Sequence, residues 1–316
     1  MGTGLGIDAG GTATRWALAD ASGKVVASGS VGGLTALMMG SEAGRGQTTA
    51  VLGQLARDVV RAGGALPQRV LAGFTGYSDD PPLRARLESL IADALGLPHA
   101  SARVVGDIAL AYLDCFAPGA GYLVYAGTGS IAAYIDLHGQ MHRAGGRGSL
   151  LDDGGSGYWI AREAMRRIWR TEDEAPGSWR ASPMAVAVFA QIGGSSWTRS
   201  RDFFYQGTRG QVGELALAVA GAARDGDPMA LWLMQHAGVE LARLASALAR
   251  RFGTRPVALA GGGARLHPAV EASMRGALGD AVALRMVALA AHEAAARLAA
   301  RDDPLLGRFT DAERLP

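Results

Sequence analysis

The sequence predicts an α/β fold in two similar halves, because two segments in different parts of the chain follow the same pattern. Each of the segments 5–20 and 122–136 begins with an apolar run, passes through glycines and a hydroxyl residue, and ends in an alternating run. This pattern is typical of a strand, a tight turn and a second strand. Between and after these segments, short apolar runs alternate with helical periodicity, which indicates parallel strands joined by crossover helices.

The elements of the first half follow one another with clear local signals. Short β-branched and apolar runs predict strands, and apolar residues at helical spacing predict helices, as where Val51, Leu55 and Val59 share one face. After the first strand pair we expect a strand at 24–31, a helix at 48–62, a strand at 69–73, a helix at 83–95, a strand at 102–105 and a helix at 108–116.

The second half repeats this order with longer helical insertions. We expect a strand pair at 122–136, helices between 156 and 251, a strand at 257–260, a helix from 267 and a final helix at 287–300. The Ala117-Pro118-Gly119 stretch predicts a boundary, so we assign residues 1–117 to the first domain and 118–287 to the second. The tail 302–316 carries no recognisable pattern.

Length, charge and hydropathy narrow the class of protein. With 316 residues, 49% of them hydrophobic, the chain is long enough for two domains of about 150 residues each. No uncharged apolar run reaches the 18 or so residues of a membrane span, and no signal-peptide pattern opens the sequence, so we expect a cytoplasmic protein and no membrane partner. Basic residues are scattered and the net charge is only +2, which argues against nucleic acid.

Two scarce residue types exclude several kinds of site. The single cysteine, Cys115, allows no disulfide and no cysteine-based zinc or iron–sulfur centre within one chain. The single lysine, Lys24, lies in a predicted hairpin turn, so a P-loop and a protein-kinase lysine are both excluded. A Rossmann fingerprint is also excluded, because an alternating strand and not a helix follows the first glycine turn.

The two glycine turns are predicted to bind phosphate. Glycines allow positive φ angles and a close approach of the backbone, so that successive N–H groups and a hydroxyl group face an anion. The alternative for each turn is a tight hairpin in which the glycines serve only the backbone. The predicted phosphate ligands are Gly10, Gly11 and Thr12 in the first turn, and Gly127, Thr128, Gly129 and Ser130 in the second.

An ordered set of glycine-rich motifs resembles the BadF/BadG/BcrA/BcrD-type group of the acetate and sugar kinase, Hsp70 and actin superfamily, which includes N-acetylglucosamine kinases. The resemblance implies two duplicated ribonuclease H-like domains with an interdomain nucleotide cleft, and a final helix 288–301 that returns to the first domain. The motifs are residues 8–12, 106–107, 126–130, 145–148, 153–160 and 260–263.

The resemblance also implies roles for particular residues. ATP and Mg²⁺ would be the cofactors, with Asp8 holding the metal ion through water and Gly261, Gly262 and Gly263 forming an adenosine clamp. Asp107 would be the general base that accepts the proton of a sugar hydroxyl group. The local alternative is that Asp107 caps the helix that follows it.

The acceptor site departs from the family pattern. Arg147 replaces a tryptophan and Gly154 a glutamate, while Thr35 stands where an early asparagine is expected. These differences leave the identity of the acceptor open, including an anionic sugar facing Arg147. The predicted acceptor-binding residues are Thr35, Thr75, Gly76, Gly146, Arg147 and Asp153.

The function that we infer from the sequence is ATP-dependent phosphorylation of an amino sugar, N-acetylglucosamine or glucosamine, by a homodimer whose only other partner is the small-molecule sugar. One alternative is a sugar-sensing or peptidoglycan-fragment-sensing protein that binds ATP. Another is an ATPase of the BadF/BcrA type, although activators of that type use more than one cysteine per chain for their cluster. A repressor relative of the ROK type would be expected to carry a DNA-binding extension or a zinc-binding cysteine cluster, and the sequence shows neither.

Overall fold

The structure is a computed structural model that describes residues 2–63, 66–78 and 80–301. The predicted tail 302–316 lies outside the described residues. Among the helices of the described part, none has the combination of length and apolar character that a membrane crossing requires.

The first sheet has the strand order β3-β2-β1-β4-β5. Strand β1 is antiparallel to β2 and parallel to β4, and β4 is parallel to β5. The elements are β1 (Gly4–Ala9), β2 (Ala13–Ala19), β3 (Val25–Gly32), α1 (Glu42–Gly63), β4 (Arg69–Phe74), α2 (Pro81–Leu95), β5 (Ala102–Gly106) and α3 (Asp107–Cys115).

The second sheet has the order β10-β9-β6-β7-β8, and β9 is parallel to both β6 and β10. Its elements are β6 (Tyr122–Ala126), β7 (Ser130–Ile135), β8 (Met141–Gly145), α4 (Gly157–Glu174), α5 (Pro183–Ile192), α6 (Trp197–Gln206), α7 (Arg209–Arg224), α8 (Pro228–Phe252), β9 (Val257–Ala260), α9 (Pro268–Leu278) and β10 (Leu284–Met286), and α10 (Ala291–Arg301) ends the described chain.

The two faces of β1 are covered by different helices, as the period of two along a strand requires. Leu5, Ile7 and Ala9 point into a core formed with α1 and α2. The first two alternate residues are glycines. A Cβ on Gly4 would lie 2.1 Å from the backbone nitrogen of Ala300, and a Cβ on Gly6 would lie 2.0 Å from His292 O. Helix α10 therefore rests directly on the backbone of β1.

Both sheets contain a hairpin turn built in the same way. Asp20 Oδ1 accepts hydrogen bonds from the N–H groups of Ser22 and Lys24, at 2.9 and 3.1 Å, and Gly23 has a φ of +84°. In the other hairpin, Asp136 Oδ1 accepts hydrogen bonds from the N–H groups of His138 and Gln140, and Gly139 has a φ of +83°. The second hairpin is formed by residues 136–140.

The chain divides into two compact units. The first contains the described residues of Met1–Ala120, Ala133–His142 and Leu289–Pro316, and the second contains Gly121–Ala132 and Arg143–Ala288. The predicted α/β class with two sheets is confirmed. Two predicted helix starts, at 48 and 287, were wrong, whereas the other predicted ends of helices and strands lie close to the observed ones. Helix α1 begins at Glu42, and the mostly exposed residues before position 48 have no apolar periodicity that could mark them as helical. Helix α10 begins only at Ala291, because the Val287 N–H bonds to Leu259 O beside β9.

Candidate functional site

In the first unit, three parallel strands end side by side and bring predicted site residues together. The register pairs Ala9 with Phe74 and Phe74 with Gly106. The residues that follow these strand ends therefore lie at one edge of the sheet, and Thr75 N–H bonds to Ala9 O at 2.9 Å. Ligands of open α/β sheets bind at such carboxyl ends.

Asp107 is the first residue of α3 and is held in a defined orientation. Its Oδ2 accepts a hydrogen bond from Thr75 Oγ1 at 2.8 Å, and its Oδ1 accepts one from Ile108 N–H at 2.8 Å. Gly106 occupies the N-cap position, while Asp107 Oδ1 satisfies an N–H group in the first turn of the helix, so this carboxylate also stabilises the start of α3. The carboxylate is partly buried.

A second carboxylate, that of Asp8, lies near Asp107. Burial raises the pKa of Asp8, and the negative charge of Asp107 raises it further, while His292 and Arg15 act in the opposite direction. Burial lowers the pKa of His292, although Asp8 and other nearby carboxylates partly compensate. Two carboxylates that oppose each other's ionisation make this edge of the sheet favourable for a cation.

The first glycine turn is tight and is supported by a neighbouring backbone. Gly10 N–H bonds to Ala13 O at 3.2 Å, and Leu34 N–H bonds to Gly10 O at 3.0 Å. A Cβ on Gly33 would lie 2.1 Å from Gly11 O, so the chain after β3 touches the turn directly. Gly11 and Thr12 are exposed, and their amide groups are the ones that this turn can offer to an anion.

The expectation of positive φ angles in the phosphate turns was wrong. Gly10, Gly11, Gly127 and Gly129 all have φ outside the left-handed region. Close approach explains Gly10, Gly127 and Gly129 instead, because a Cβ on each would lie within 3.2 Å of another atom, whereas a Cβ on Gly11 would have only an ordinary contact at 3.6 Å. Around Gly129 in particular, a Cβ would lie 2.8 Å from two charged side chains.

The predicted acceptor residues of the first unit lie beside its glycine turn. Thr35 Cγ2 lies 3.6 Å from the position of a Cβ on Gly11, and Ala36 N–H bonds to Thr75 O at 3.0 Å. Gly76 follows with a φ of +73° and is exposed. Thr35, Thr75 and Gly76 therefore belong to the same edge of the first unit as Asp107.

In the second unit, the turn between β6 and β7 is fixed by the start of α4. Gly127 N–H bonds within the turn to Gly129 O at 2.8 Å, and Gly157 N–H bonds to Gly127 O at 2.9 Å. Thr128 is exposed. Ser130, by contrast, is buried, and its hydroxyl donates to Gly154 O at 2.7 Å, so it secures the turn from the inside.

The three consecutive glycines 261–263, called the triple glycine below, lie next to this turn. Strands β6 and β9 are parallel, and Tyr125 pairs with Ala260, so Gly261 begins beside Ala126. Gly261 has a φ of +98°, and a Cβ on it would lie 2.2 Å from Ala126 O. Gly262 is exposed, has right-handed backbone angles and has nothing within 4 Å of its Cβ position.

The loop after β8 returns to the same turn. Gly146 N–H bonds to Ser130 O at 2.9 Å, and the next residue, Arg147, is exposed. Asp153 is only 2% exposed and has a φ of 54°, in the left-handed region that few residues other than glycine adopt. Its Oδ2 accepts from Arg209 Nη2 at 3.0 Å. Asp153 is thus engaged by protein groups.

The glycine at position 154 faces another carboxylate. A Cβ on Gly154 would lie 2.7 Å from Glu240 Oε2, which comes from α8. Arg243 bonds to both Glu240 and Asp152, at 2.9 and 3.1 Å. An acidic group from α8 therefore lies directly beside Gly154.

The donors of the first unit are compatible with a water-rich magnesium site. Asp8 and Asp107 supply carboxylate oxygens, which Mg²⁺ prefers. Within the described residues, no three histidine, cysteine or acidic side chains are grouped closely enough to hold a metal ion by themselves. A bound Mg²⁺ would therefore need water and phosphate oxygens for most of its coordination, as is common for this ion in phosphoryl-transfer sites.

Three groups near these sites were missed by the sequence reasoning. Arg209 reaches Asp153 from the first turn of α7, His292 approaches Asp8 from α10, and Glu240 fills the space at Gly154. The sequence does mark the start of α7, because Thr208 and Gln211 form a capping box.

Solved structures share this fold over nearly the whole chain. A candidate N-acetylglucosamine kinase from Chromobacterium violaceum is 25% identical, with a TM-score of 0.72, over 97% of this chain and 99% of that one. A candidate N-acetylglucosamine kinase from Porphyromonas gingivalis, 18% identical, has a TM-score of 0.68 over 95% and 99%. A ROK family glucokinase from Streptomyces griseus, solved with glucose and AMPPNP, is 20% identical, with a TM-score of 0.56 over 95% and 98%.

The fold and its two glycine turns thus define a protein of the sugar kinase architecture. A family model matches residues 5–290, and the chain belongs to the BadF/BadG/BcrA/BcrD ATPase family. The resemblance inferred from the glycine-rich motifs is confirmed.

Proposed function

We propose that the protein is an ATP-dependent sugar kinase that phosphorylates a hydroxyl group of an amino sugar, N-acetylglucosamine or glucosamine. Membership of an ATPase family supports ATP as the phosphoryl donor. The likeness to the Chromobacterium violaceum protein supports the amino-sugar acceptor. The observation that carries the proposal is the Thr75–Asp107 hydrogen bond of 2.8 Å at the carboxyl ends of β4 and β5.

The proposed phosphate contacts come from the two glycine turns. Gly11 and Thr12 in the first unit, and Thr128 and Gly129 in the second, bind phosphate oxygens, while Gly10, Gly127 and Ser130 shape the turns. Gly261, Gly262 and Gly263 bind the adenosine part. Asp8 would hold Mg²⁺, and the ion would supply positive charge to the phosphates.

Asp107 is the proposed general base. The acceptor oxygen attacks the γ-phosphorus, the bond from that phosphorus to the β,γ-bridging oxygen breaks, and ADP leaves. The hydroxyl proton passes to Asp107, whose Oδ2 is fixed by Thr75. Phosphoryl transfer depends mainly on such positioning and on charge stabilisation.

The proposed acceptor contacts are Thr35, Thr75 and Gly76 from the first unit, and Gly146 and Arg147 from the second. Exposed Arg147 favours an acceptor that carries a carboxylate or phosphate group, so muramic acid belongs in the substrate panel. Asp153 was also predicted to contact the acceptor, but its carboxylate is buried and bonded to Arg209, so we propose a supporting role for it instead.

The experiment that tests the proposal is a coupled ADP-release assay over a panel of amino sugars with the wild-type protein and Asp107→Asn. We expect turnover with at least one amino sugar, and a fall in kcat of roughly 10²–10⁴ in the variant with nucleotide affinity retained. Asp93→Asn, an exposed site in α2, is the matched control. No turnover with any sugar despite ATP binding would favour the sensing protein.

The homodimer and the cytoplasmic location remain predictions. Light scattering of the purified protein with and without nucleotide tests the first, and fractionation of the native cell tests the second.

A further inference from the structure

The ion pair of Arg209 and Asp153 lies in close contact with the turn between β6 and β7. A Cβ on Gly129 would lie 2.8 Å from Arg209 Nη2 and 2.8 Å from Asp153 Oδ2. Any side chain at position 129 would therefore displace the pair. The guanidinium group and the carboxylate therefore lie directly against the backbone of the turn.

The two members of the pair differ in exposure. The side chain of Asp153 is 3% exposed and that of Arg209 is 54% exposed. Asp153 Oδ1 also accepts a hydrogen bond from Gly148 N–H at 3.3 Å. The carboxylate is thus fixed inside the protein, while much of the guanidinium group stays open to solvent.

The backbone of Arg209 is fixed as well. Arg209 is the first residue of the 16-residue helix α7, and Thr208 caps that helix with Gln211 in a reciprocal capping box. A guanidinium group has five N–H donors, so the bond to Asp153 leaves several for another acceptor. Because the backbone of Arg209 and its bond to Asp153 already restrict the side chain, a further contact to a ligand would cost less conformational entropy.

A phosphate at this turn would need such a cation. The buried charge of Asp153 would repel a phosphate unless a positive group neutralised it. The only lysine, Lys24, belongs to the first unit, so the strongly basic side chains of the second unit's described residues are all arginines. Guanidinium groups bind phosphate oxygens through paired, charge-assisted hydrogen bonds.

We propose that Arg209 is a phosphate-binding residue of the nucleotide site and that Asp153 is the positioning residue that holds it beside Gly129. This inference rests on the proposed function, since it requires a nucleotide at the turn 127–130. It moves Asp153 from the acceptor site to the support of the nucleotide site.

The test is calorimetric binding of the hydrolysis-resistant analogue AMPPNP with Mg²⁺, and separately of adenosine, to wild type, Arg209→Ala and Arg209→Lys. We expect Arg209→Ala to raise the Kd for AMPPNP roughly 10- to 100-fold, because a charge-assisted bond is lost, and to leave the Kd for adenosine unchanged. Arg209→Lys keeps the charge without the planar fork and should be intermediate.

Arg224→Ala is the matched control, since Arg224 ends the same helix and bonds to Leu266 O. It should bind AMPPNP as the wild type does. Asp153→Asn should weaken AMPPNP binding less than Arg209→Ala, because the guanidinium group remains but is held less firmly.

Two results would overturn the inference: an unchanged Kd for AMPPNP in Arg209→Ala, or an equal loss of AMPPNP and adenosine binding, which would indicate a structural role. A wild-type protein that binds no AMPPNP would overturn both this inference and the proposed function. A wild type that binds AMPPNP but phosphorylates no sugar would overturn the proposed function alone.

Discussion

The hydroxyl group of Thr75 gives Asp107 its orientation. Because the Thr75 Oγ1 to Asp107 Oδ2 bond is 2.8 Å long, Thr75→Val removes a donor to a charged group while keeping the shape of the side chain. Such bonds contribute about 1.5–3 kcal/mol, so we expect kcat to fall roughly 10- to 100-fold. Steady-state kinetics with saturating ATP and sugar measures the change.

Thr75→Ser is the control, since it keeps the hydroxyl group, and its kcat should remain near that of the wild type. Equal kcat values for Thr75→Val and wild type would show that this bond does not orient the base.

Gly11 in the first turn and Gly33, which follows β3 and lies against that turn, should respond differently to the same substitution. A Cβ on Gly11 meets only Thr35 Cγ2, at 3.6 Å, whereas a Cβ on Gly33 would lie 2.1 Å from Gly11 O. Gly11→Ala should fold normally and raise the KM for ATP by about an order of magnitude or more, because the methyl group displaces the phosphate. Kinetics and thermal unfolding of both variants measure this.

Gly33→Ala should instead lower the unfolding temperature, because a backbone atom must move. If Gly11→Ala kept the wild-type KM for ATP, the exposed amide groups of this turn would not be phosphate ligands.

At the scale of single residues, the sequence predicted some of the candidate site and could not predict the rest. Asp107 was assigned because the glycine-rich motifs resemble those of the family, and its position at the carboxyl end of a strand supported that assignment. Arg209 and His292 were missed as partners, because Arg209 meets Asp153 across 56 positions of sequence and His292 approaches Asp8 from the last described helix. Only the three-dimensional path of the chain brings such groups together.

At the scale of elements, the contact between α10 and β1 depends on glycine. A Cβ on Gly6 would lie 2.0 Å from His292 O, so Gly6→Ala should push the helix away from the strand. Overpacking of this kind costs about 1–3 kcal/mol of unfolding free energy. Urea unfolding followed by circular dichroism measures the loss.

Gly46→Ala in α1 is the opposite case, since nothing lies within 4 Å of its Cβ position. Here we expect a gain of about 0.5–1 kcal/mol in unfolding free energy from the better helix propensity. A stable Gly6→Ala would mean that α10 does not pack as tightly as the structure shows.

The order of helices and strands was predictable from hydrophobic periodicity, whereas the residues at which they begin and end were predicted less accurately. Strands such as β4 and β9 are buried almost throughout, so their residues are nearly all apolar. Such short apolar runs can be recognised in the sequence. The first turn of α1 contains Gly44 and Gly46 and is largely exposed. Without apolar residues facing a core, it gave no periodic signal.

At the scale of the whole molecule, the aspartate hairpins predict a loss of stability in acid. Hydrogen bonds from Ser22 and from neighbouring N–H groups lower the pKa of Asp20. For Asp136, burial raises the pKa, but bonds from His142, Gln140 and His138 outweigh it and the pKa is lowered. The ionised forms therefore favour the folded state.

A carboxyl group with a lowered pKa stabilises the fold above its unfolded pKa, near 3.8, and this contribution is lost as the pH falls. Asp136→Asn should therefore reduce the unfolding free energy near neutral pH and flatten its decline between about pH 5 and pH 3. Urea unfolding across that range tests the sign, and a variant as steep as the wild type would contradict it.

The open surroundings of Gly262 make it a place to attach a reporter. Its backbone angles suit any residue and nothing lies within 4 Å of its Cβ position, so a cysteine there can carry a fluorophore without disturbing the loop. The natural thiol, Cys115, is partly shielded, so labelling favours the new one. Nucleotide binding at the proposed adenosine site would then change the dye's emission, and occupancy could be followed in real time without any turnover.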